Sequence, residues 1–226
     1  MNLDNFEFGP LDQDLVETFK YEFENNNIYE KIYQVKEGDV VVDIGASNGI
    51  FTYSILNKKP KHVFCLEPSK ALFPYLVKNT IGHPVTQINK AVSSGNGITD
   101  ASNHVYSDNG SMETIKFSTF VNRFGIDKID FLKMDCETGE YDIFTDENIS
   151  WLVENVGCIV GEWHLGRSKW LKEKFREFRD NYIPKFKNVT AYSVDGFDIT
   201  WDLWNDNFIN HYEQVILHLN NDTSRI

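Results

Sequence analysis

The apolar residues of this chain follow two patterns, short continuous runs and longer stretches with an apolar residue at every third or fourth position. The clearest run is Val40-Val41-Val42-Asp43-Ile44, directly after the turn residues Gly38-Asp39. Such β-branched runs are typical of strands covered on both faces, as in a parallel sheet. From there on, runs and helical patterns alternate. Strands are predicted at 40–44, 62–67, 85–92, 129–134, 156–163 and 215–219, and helices at 50–56, 69–79, 118–124 and 170–182.

The first 35 residues have a helical pattern of their own. Leu15, Phe19 and Phe23 recur at four-residue spacing, which predicts a helix with one apolar face. A second helical stretch is predicted over 28–35. No internal repeat or linker divides the chain, so we expect a single domain over 1–226. Its predicted parts are an N-terminal helical extension, 1–35, and a core, 36–226.

The carboxyl-terminal part has a different pattern. Asp195-Gly196 lies between the apolar segments 189–194 and 197–203, and an Asp-Gly pair in that setting predicts a tight hairpin turn. The stretch 93–111, rich in Ser, Gly, Asn and Asp, is predicted to be an irregular loop. Repeated β–α units that close with antiparallel strands indicate a mixed, mostly parallel sheet with helices on both faces.

Charge and composition narrow the classes of partner. The 226 residues include 34 acidic and 22 basic side chains, a net charge of -12 at pH 7. Nucleic-acid binders need clustered Lys and Arg, and anionic membranes attract basic segments, so we expect neither partner. The chain has no apolar run of about 18 residues, which predicts no membrane span. The polar, acidic start at 1–5 predicts no signal peptide, and we expect a cytoplasmic protein.

Cysteine usage agrees with that location. The three cysteines, Cys65, Cys136 and Cys158, are widely spaced and form no CxxC pair. A zinc ribbon or a dithiol redox site therefore has no support. All three lie in apolar, strand-like runs, which predicts buried, reduced thiols.

A glycine loop follows the first predicted strand. Asp43-Ile44-Gly45-Ala46-Ser47-Asn48-Gly49 places two glycines where the chain must turn and approach a ligand closely. The spacing differs from a G-x-G-x-x-G dinucleotide fingerprint, and the loop lacks the Gly-Lys-Ser/Thr ending of a P-loop. An acid just before the turn repels a pyrophosphate and suits a ligand that carries an ammonium group.

Glu67 ends the second predicted strand, 24 residues after Asp43. A carboxylate at that place can accept hydrogen bonds from both hydroxyls of a ribose. Ammonium and ribose together describe S-adenosylmethionine, the cofactor we predict. If instead the glycines only form a tight turn, Glu67 is a surface acid. The predicted cofactor residues are Asp43, Gly45, Ala46, Ser47, Asn48, Gly49 and Glu67, joined by Pro68 and by Ala91 near the adenine.

Three segments resemble the FkbM-type family of class I S-adenosylmethionine-dependent methyltransferases. They are the glycine loop with its strand (38–49), Phe64-Cys65-Leu66-Glu67-Pro68, and the block Ile129-Asp130-Phe131-Leu132-Lys133-Met134-Asp135-Cys136-Glu137-Thr138-Gly139-Glu140. The third is the most specific. The resemblance covers roughly residues 36–165. It implies a Rossmann-like three-layer α/β sandwich, which we expect as a mostly parallel seven-stranded sheet with an antiparallel C-terminal hairpin.

The resemblance also implies methyl transfer to an oxygen, commonly a hydroxyl of a saccharide or another small molecule. One departure is visible. Where the family has Glu-Gly-x-Glu, this chain has Glu137-Thr138-Gly139-Glu140, so the glycine is displaced by one position. The backbone at Thr138 is therefore expected to differ from the family pattern.

The third segment and the strand after it supply the predicted catalytic residues. Asp135 and Glu137 follow a strand's carboxyl end, where ligands bind in open α/β sheets. In an extended chain Lys133 shares their face, and Glu162 and His164 share a face on the next strand. His164 or Asp135 is the predicted proton acceptor. Asp135, Glu137 and Glu162 are candidates to hold the acceptor or a divalent ion, Mg²⁺ or Mn²⁺.

Several alternatives remain open at this point. Lys133 can pair with Glu162 or Asp135 only to make a buried charge tolerable. Trp163, Trp201 and Trp204 can stack on a sugar ring or simply pack the core and sheet edges. The chain can also be an NAD-linked oxidoreductase on the same fold, a non-catalytic S-adenosylmethionine-binding module, or an RNA methyltransferase. The oligomeric state is not predicted.

Overall fold

The computed structural model describes residues 3, 5–11, 13–25, 27–100, 111–166 and 168–221, and at 15, 22, 24, 25, 99 and 100 it describes the backbone alone. The predicted role of the Leu15 side chain, most of the polar start at 1–5, and residues 101–110 of the predicted loop therefore lie outside the described residues. Within them, no helix is both long and apolar enough to cross a membrane.

A seven-stranded sheet forms the centre of the fold, in the order β3-β2-β1-β7-β8-β10-β9. Its first five strands are parallel to their neighbours, and β10 is antiparallel to both β8 and β9. A small second sheet has the order β4-β6-β5. The strands are β1 Val40–Ile44, β2 His62–Leu66, β3 Val85–Ile88, β4 Ala91–Val92, β5 Gly97–Asp100, β6 Ser111–Ile115, β7 Ile129–Met134, β8 Val156–His164, β9 Asn188–Tyr192 and β10 Gln214–Asn220.

Helices cover both faces of this sheet. Because side chains alternate along a strand, Val41 and Phe131 pack in one apolar cluster, while Val42 and Leu132 pack in the other. The predicted Rossmann-like three-layer α/β sandwich is thereby confirmed. The helices are α1 Gln13–Asn25, α2 Ile50–Ile55, α3 Phe73–Thr80, α4 Phe117–Phe124, α5 Glu140–Ile143, α6 Ile149–Asn155, α7 Lys169–Asn181 and α8 Phe208–His211.

The predicted hairpin at 189–203 is wrong in its second arm. The turn at Gly196 forms, with its N–H donating to Ser193 O at 2.8 Å, but the chain makes only one bridge beyond it, between Tyr192 and Asp198. The antiparallel partner of β9 is β10, which pairs with it from Ile216 to Asn220. A turn sequence fixes only its own few residues, and the wholly buried apolar residues of β10 occupy the place next to β9.

Two other predictions also need correction. The stretch 28–35 is not a helix beyond one short 3₁₀ turn, Ile28–Glu30. The predicted strand 85–92 divides into β3 and β4, and the predicted loop 93–111 contains β5 and the start of β6. The divide between an extension and a core remains a prediction, although His218 Nε2 of β10 donates to Ile28 O at 3.0 Å.

Candidate active site

A cavity of about 630 Å³ opens at the carboxyl ends of β1, β2, β7 and β8. This is the edge at which open α/β sheets bind ligands. The glycine loop and Glu67 line one end of the cavity, which we call the cofactor end. Asp135, Glu137 and Glu162 line the other, which we call the acceptor end.

Gly45 brings the two ends into contact. Its φ is +75°, and a Cβ at this position would lie 1.7 Å from the backbone oxygen of Asp135. Only glycine fits here, because both the conformation and the space exclude a side chain. The glycine loop therefore lies directly against the chain that leaves β7.

Glu67 is the central polar group of the cofactor end. Its side chain accepts hydrogen bonds from Ser47 N–H and Ser69 N–H, both at 2.7 Å. Burial raises the pKa of this carboxyl to about 7, although both N–H donors act in the opposite direction. A buried carboxylate that faces a cavity and is held by two backbone donors suits the recognition of a ribose.

Asp43 lies beneath the loop and not on the cavity wall. It accepts a hydrogen bond from Thr52 Oγ1 at 2.8 Å, and its Oδ1 lies 3.2 Å from Lys133 Nζ. Lys133 also donates to Gly45 O at 2.8 Å. Burial alone would lower the pKa of Lys133, but the nearby acids, Asp43 foremost, raise it. Lys133 thus fixes the loop from below, and its ion-pair partner is Asp43 rather than Glu162 or Asp135, the two alternatives left open by the sequence.

The other predicted cofactor residues separate into two groups. Ala46, Ser47, Pro68 and Ala91 line the cavity together with Gly45 and Glu67. Asn48 and Gly49 lie behind that wall. Asn48 is fully buried and donates to Phe8 O at 3.1 Å, and its own backbone oxygen accepts from Asn79. These two residues shape the loop without facing the cavity.

The acceptor end has an unusual backbone. β7 ends at Met134, and Glu137 and Thr138 have φ values of +55° and +88°. A β-branched residue in the left-handed region is strained. The chain therefore does not continue extended from Lys133 to Glu137. The expectation that Lys133, Asp135 and Glu137 share one face of an extended strand does not hold for Glu137. Thr138 has the glycine-like conformation, whereas Gly139, with φ −73°, needs none.

His164 lies behind the part of the cavity wall that Asp135, Glu137 and Glu162 form. Its Nε2 is 3.6 Å from Glu137 Oε2 and equally far from Glu162 Oε1, and its Nδ1 is 3.7 Å from Glu140 Oε1. Burial alone would lower the pKa of this imidazole, but the carboxylates around it, Glu140 foremost, raise it to about 9. Burial and the charge of Asp135 raise the pKa of Glu162 to about 8.

The structure adds residues that the sequence did not indicate. Tyr29, from the 3₁₀ turn after α1, donates its hydroxyl to Asp135 Oδ2 at 3.0 Å. Phe19 and Phe23 of α1 and Trp170 of α7 also line the cavity. The four-residue spacing of Phe19 and Phe23 indicated a helix face, but nothing local indicated what it covers.

The tryptophans that were considered for sugar stacking lie elsewhere. Trp163 is fully buried and stacks on Phe178, with ring centroids 5.1 Å apart. Trp201 and Trp204 are exposed and are not part of the cavity wall. Of the three, Trp163 therefore has the packing role.

Fold and site together define a class I Rossmann-like methyltransferase. The family model of the methyltransferase FkbM domain matches residues 43–192, and the chain belongs to that family. It is accordingly an S-adenosylmethionine-dependent methyltransferase, as the sequence motifs predicted. No curated protein matches the chain.

Two solved structures illustrate the fold. One is a candidate methyltransferase in complex with the Haloferax volcanii Trm112 methyltransferase activator, with a TM-score of 0.52 and 11% identity over 92% of this chain and 94% of that one. The other is a candidate rRNA methylase from Clostridium thermocellum, with a TM-score of 0.50 and 15% identity over 94% of this chain and 99% of that one. At these identities the likeness concerns the fold alone.

Proposed function

We propose that this protein methylates a hydroxyl group of a saccharide or another small molecule. One observation supports this proposal above the others, namely that a single cavity joins the glycine loop and Glu67 to the carboxylates Asp135, Glu137 and Glu162. A cofactor held at one end would face acidic groups that can bind and deprotonate a hydroxyl at the other.

The cofactor end fits S-adenosylmethionine. Glu67 is buried, faces the cavity and can accept hydrogen bonds from ribose hydroxyls. Gly45, Ala46 and Ser47 line the cavity, so a ligand can contact the glycine loop directly. Ala91, at the start of β4, lines the same end and is our candidate to face the adenine.

The acceptor end supplies the groups that a hydroxyl needs. When bound, S-adenosylmethionine supplies a methyl group whose bond to sulfur breaks as the bond to the acceptor oxygen forms. The hydroxyl proton must leave to a base. We assign that role to Glu162, which opens on the cavity, because His164 lies behind the wall and the charge of Asp135 is stabilised by the Tyr29 hydroxyl. The proposal includes a divalent ion, Mg²⁺ or Mn²⁺, at this end.

The competing functions have less support. An NAD-linked oxidoreductase lacks support from the loop, which has neither the third glycine nor the spacing of a dinucleotide fingerprint. RNA methylation is at odds with the net charge of -12. We place the reaction in the cytoplasm, and the three free thiols agree with a reducing compartment.

Methyl transfer to a panel of compounds tests the proposal. The protein is incubated with methyl-labelled S-adenosylmethionine and with saccharides, phenols and aliphatic alcohols, and methylated products are identified by mass spectrometry. We expect label on an oxygen of at least one compound, and a fall of about 100-fold or more with Glu162→Gln, since a general base contributes about 10²- to 10⁴-fold. The exposed Glu154 provides the matched control, Glu154→Gln. Transfer only to nitrogen, carbon or RNA would overturn the proposal.

A further inference from the structure

We propose that Asp135, Glu137 and His164 bind one divalent transition-metal ion, with Mn²⁺ preferred over Mg²⁺. The role of the ion rests on the proposed function, whereas its binding does not. The expected all-oxygen set of Asp135, Glu137 and Glu162 is replaced here by a set that contains an imidazole.

The three residues already bring one ligand atom each into a small space. These atoms lie within 4.8 Å of one another. Metal–ligand bonds of about 2.1 Å allow opposite ligands to be about 4.2 Å apart, so shifts of a few tenths of an ångström would complete the site. Asp135 and Glu137 come from the strained turn after β7, and His164 comes from the end of the neighbouring strand β8.

The His164 ring gives the second and independent observation. Its side chain is 1% exposed, and among the residues that the structure describes neither ring nitrogen has a hydrogen-bond partner. Buried polar atoms almost always have a hydrogen-bond partner, so an imidazole in this state calls for an explanation. An ion bound at Nε2 supplies one, because this nitrogen lies 3.6 Å from Glu137 Oε2, and Glu137 and His164 belong to the same cluster.

Glu140 would complete the arrangement behind the ring. Its Oε1 accepts a hydrogen bond from Cys136 N–H at 2.9 Å and lies 3.7 Å from His164 Nδ1, while its buried Oε2 has no hydrogen-bond partner within the described part of the chain. Histidines that bind metals usually donate their second N–H to a carboxylate, which fixes the ring and its tautomer. Glu140 is therefore a positioning residue for the ligand His164.

The local charge also favours a cation. Glu137, Glu140 and Glu162 lie within 3.7 Å of the His164 ring, and Asp135 belongs to the same small cluster. Mg²⁺ prefers an all-oxygen shell, whereas an imidazole with two carboxylates suits Mn²⁺ and its transition-metal neighbours. The remaining coordination positions would take the acceptor hydroxyl and make its proton easier to remove.

Metal binding is tested without cofactor or acceptor, so its result is independent of methyl transfer. The purified protein is titrated with MnCl₂ by calorimetry and by electron paramagnetic resonance, and in parallel with MgCl₂. We expect one Mn²⁺ per chain, Mg²⁺ at least about tenfold weaker, and a loss of at least about tenfold in Mn²⁺ affinity with His164→Gln and with Glu140→Gln. The exposed His83 provides the matched control, His83→Gln, with unchanged affinity.

Electron spin-echo spectroscopy of Mn²⁺ on the unmodified protein provides a readout that does not depend on the folding of a variant. A histidine ligand adds an imidazole nitrogen coupling to the spectrum, and we expect that coupling here. Its absence, binding of Mn²⁺ by a folded His164→Gln variant with full affinity, or equal binding of Mg²⁺ would each overturn the proposal. Metal binding without methyl transfer would instead contradict the proposed function and leave this site in place.

Discussion

At the cofactor end of the cavity, the ligand would meet backbone atoms and one carboxylate held by backbone donors, whereas at the acceptor end it would meet carboxylates from the ends of β7 and β8 and a side chain from the N-terminal segment. Gly45, Ser47 and Glu67 lie within one β–α–β unit, close in sequence. Asp135 and Glu162 likewise belong to one β–α–β unit, but Tyr29 is 106 residues from Asp135 and reaches it only through the tertiary fold. The difference shows that one end of a site can be encoded locally while the other depends on the whole domain.

The largest change in the free energy of unfolding is expected at Gly45, where the two ends of the cavity touch. Gly45→Ala would place a Cβ 1.7 Å from Asp135 O at a φ of +75°, so we expect a loss of about 3 kcal/mol or more in the free energy of unfolding. Gly82→Ala is the matched control, because Gly82 has φ +82° with nothing within 4 Å, and should cost only about 1 kcal/mol. Urea unfolding measures both. Equal losses would show that the contact between the two ends does not matter.

A substitution at Glu67 tests whether cofactor binding depends on the cofactor end alone. Glu67→Gln removes the charge that we expect to receive the ribose hydroxyls, and should weaken S-adenosylmethionine binding about 10- to 100-fold, the value of a hydrogen bond to a charged group. Calorimetry with S-adenosylmethionine measures it. Glu162→Gln at the acceptor end should leave this affinity within about threefold, and a similar loss in both variants would contradict the division of the cavity.

The raised pKa of the Glu67 carboxyl predicts that stability and cofactor affinity depend on pH. Its pKa is raised from 4.5 to about 7, so the proton is bound more tightly in the folded than in the unfolded protein. The stability due to this group is full below pH 4.5 and is lost as the pH rises through about 7. If the cofactor prefers the ionised form, its affinity should rise about tenfold between pH 6 and pH 8. Glu67→Gln should remove that rise, and a rise that persists in the variant would assign it to another group.

A smaller effect is expected from the contact that joins the N-terminal segment to the acceptor end. Tyr29→Phe removes the hydroxyl that donates to Asp135 Oδ2 at 3.0 Å and should lower kcat about tenfold, with the affinity for S-adenosylmethionine unchanged. Tyr21→Phe, at an exposed position of α1, is the control. Steady-state kinetics with the acceptor found in the methylation panel measures kcat for both variants. An unchanged kcat would mean that the N-terminal segment only covers the cavity.

The smallest effect concerns the strained turn. Thr138 has φ +88°, and Thr138→Gly should raise the free energy of unfolding by about 1 kcal/mol by relieving that strain. Gly139, with φ −73°, has no backbone strain that a substitution could relieve. A Cβ at this position would lie 3.2 Å from Cys136 Sγ, so Gly139→Ala should be neutral or slightly destabilising. Thermal unfolding of both variants distinguishes them, and a less stable Thr138→Gly protein would mean that the turn is not strained.

These contrasts also explain how far the sequence could predict the structure. The bounds of β1 and β7 were predicted to the residue, because their apolar runs are buried on both sides and are bounded by polar residues or, after β1, by the turn residue Gly45. The hairpin at 189–203 failed because a turn sequence does not specify which strand becomes the neighbour of β9. Tyr29 could not be found, since 106 residues separate it from Asp135 and only the tertiary fold brings them together.

The departure at Thr138 was visible in the sequence, but its meaning was not. The displaced glycine predicts a backbone that differs from the family pattern, and this stays a prediction, while Thr138 itself has a left-handed conformation with φ +88°. His164 was predicted at the correct edge of the sheet, yet its position behind the carboxylates depends on how the turn at Glu137 folds back. The side-chain contacts of a buried charge cluster depend on packing that no local pattern encodes.

The position of β10 has a consequence for biosynthesis. This strand lies between β8 and β9, although it is synthesised after every other described element. Until residues 214–220 leave the ribosome, the nascent chain holds β8 as an open edge, with Glu162 and His164 on it and without their partners Ile216 and Gln214. Open strand edges invite pairing with other chains. Translation that stops shortly before residue 214 should therefore yield an aggregation-prone product that lacks a finished active site.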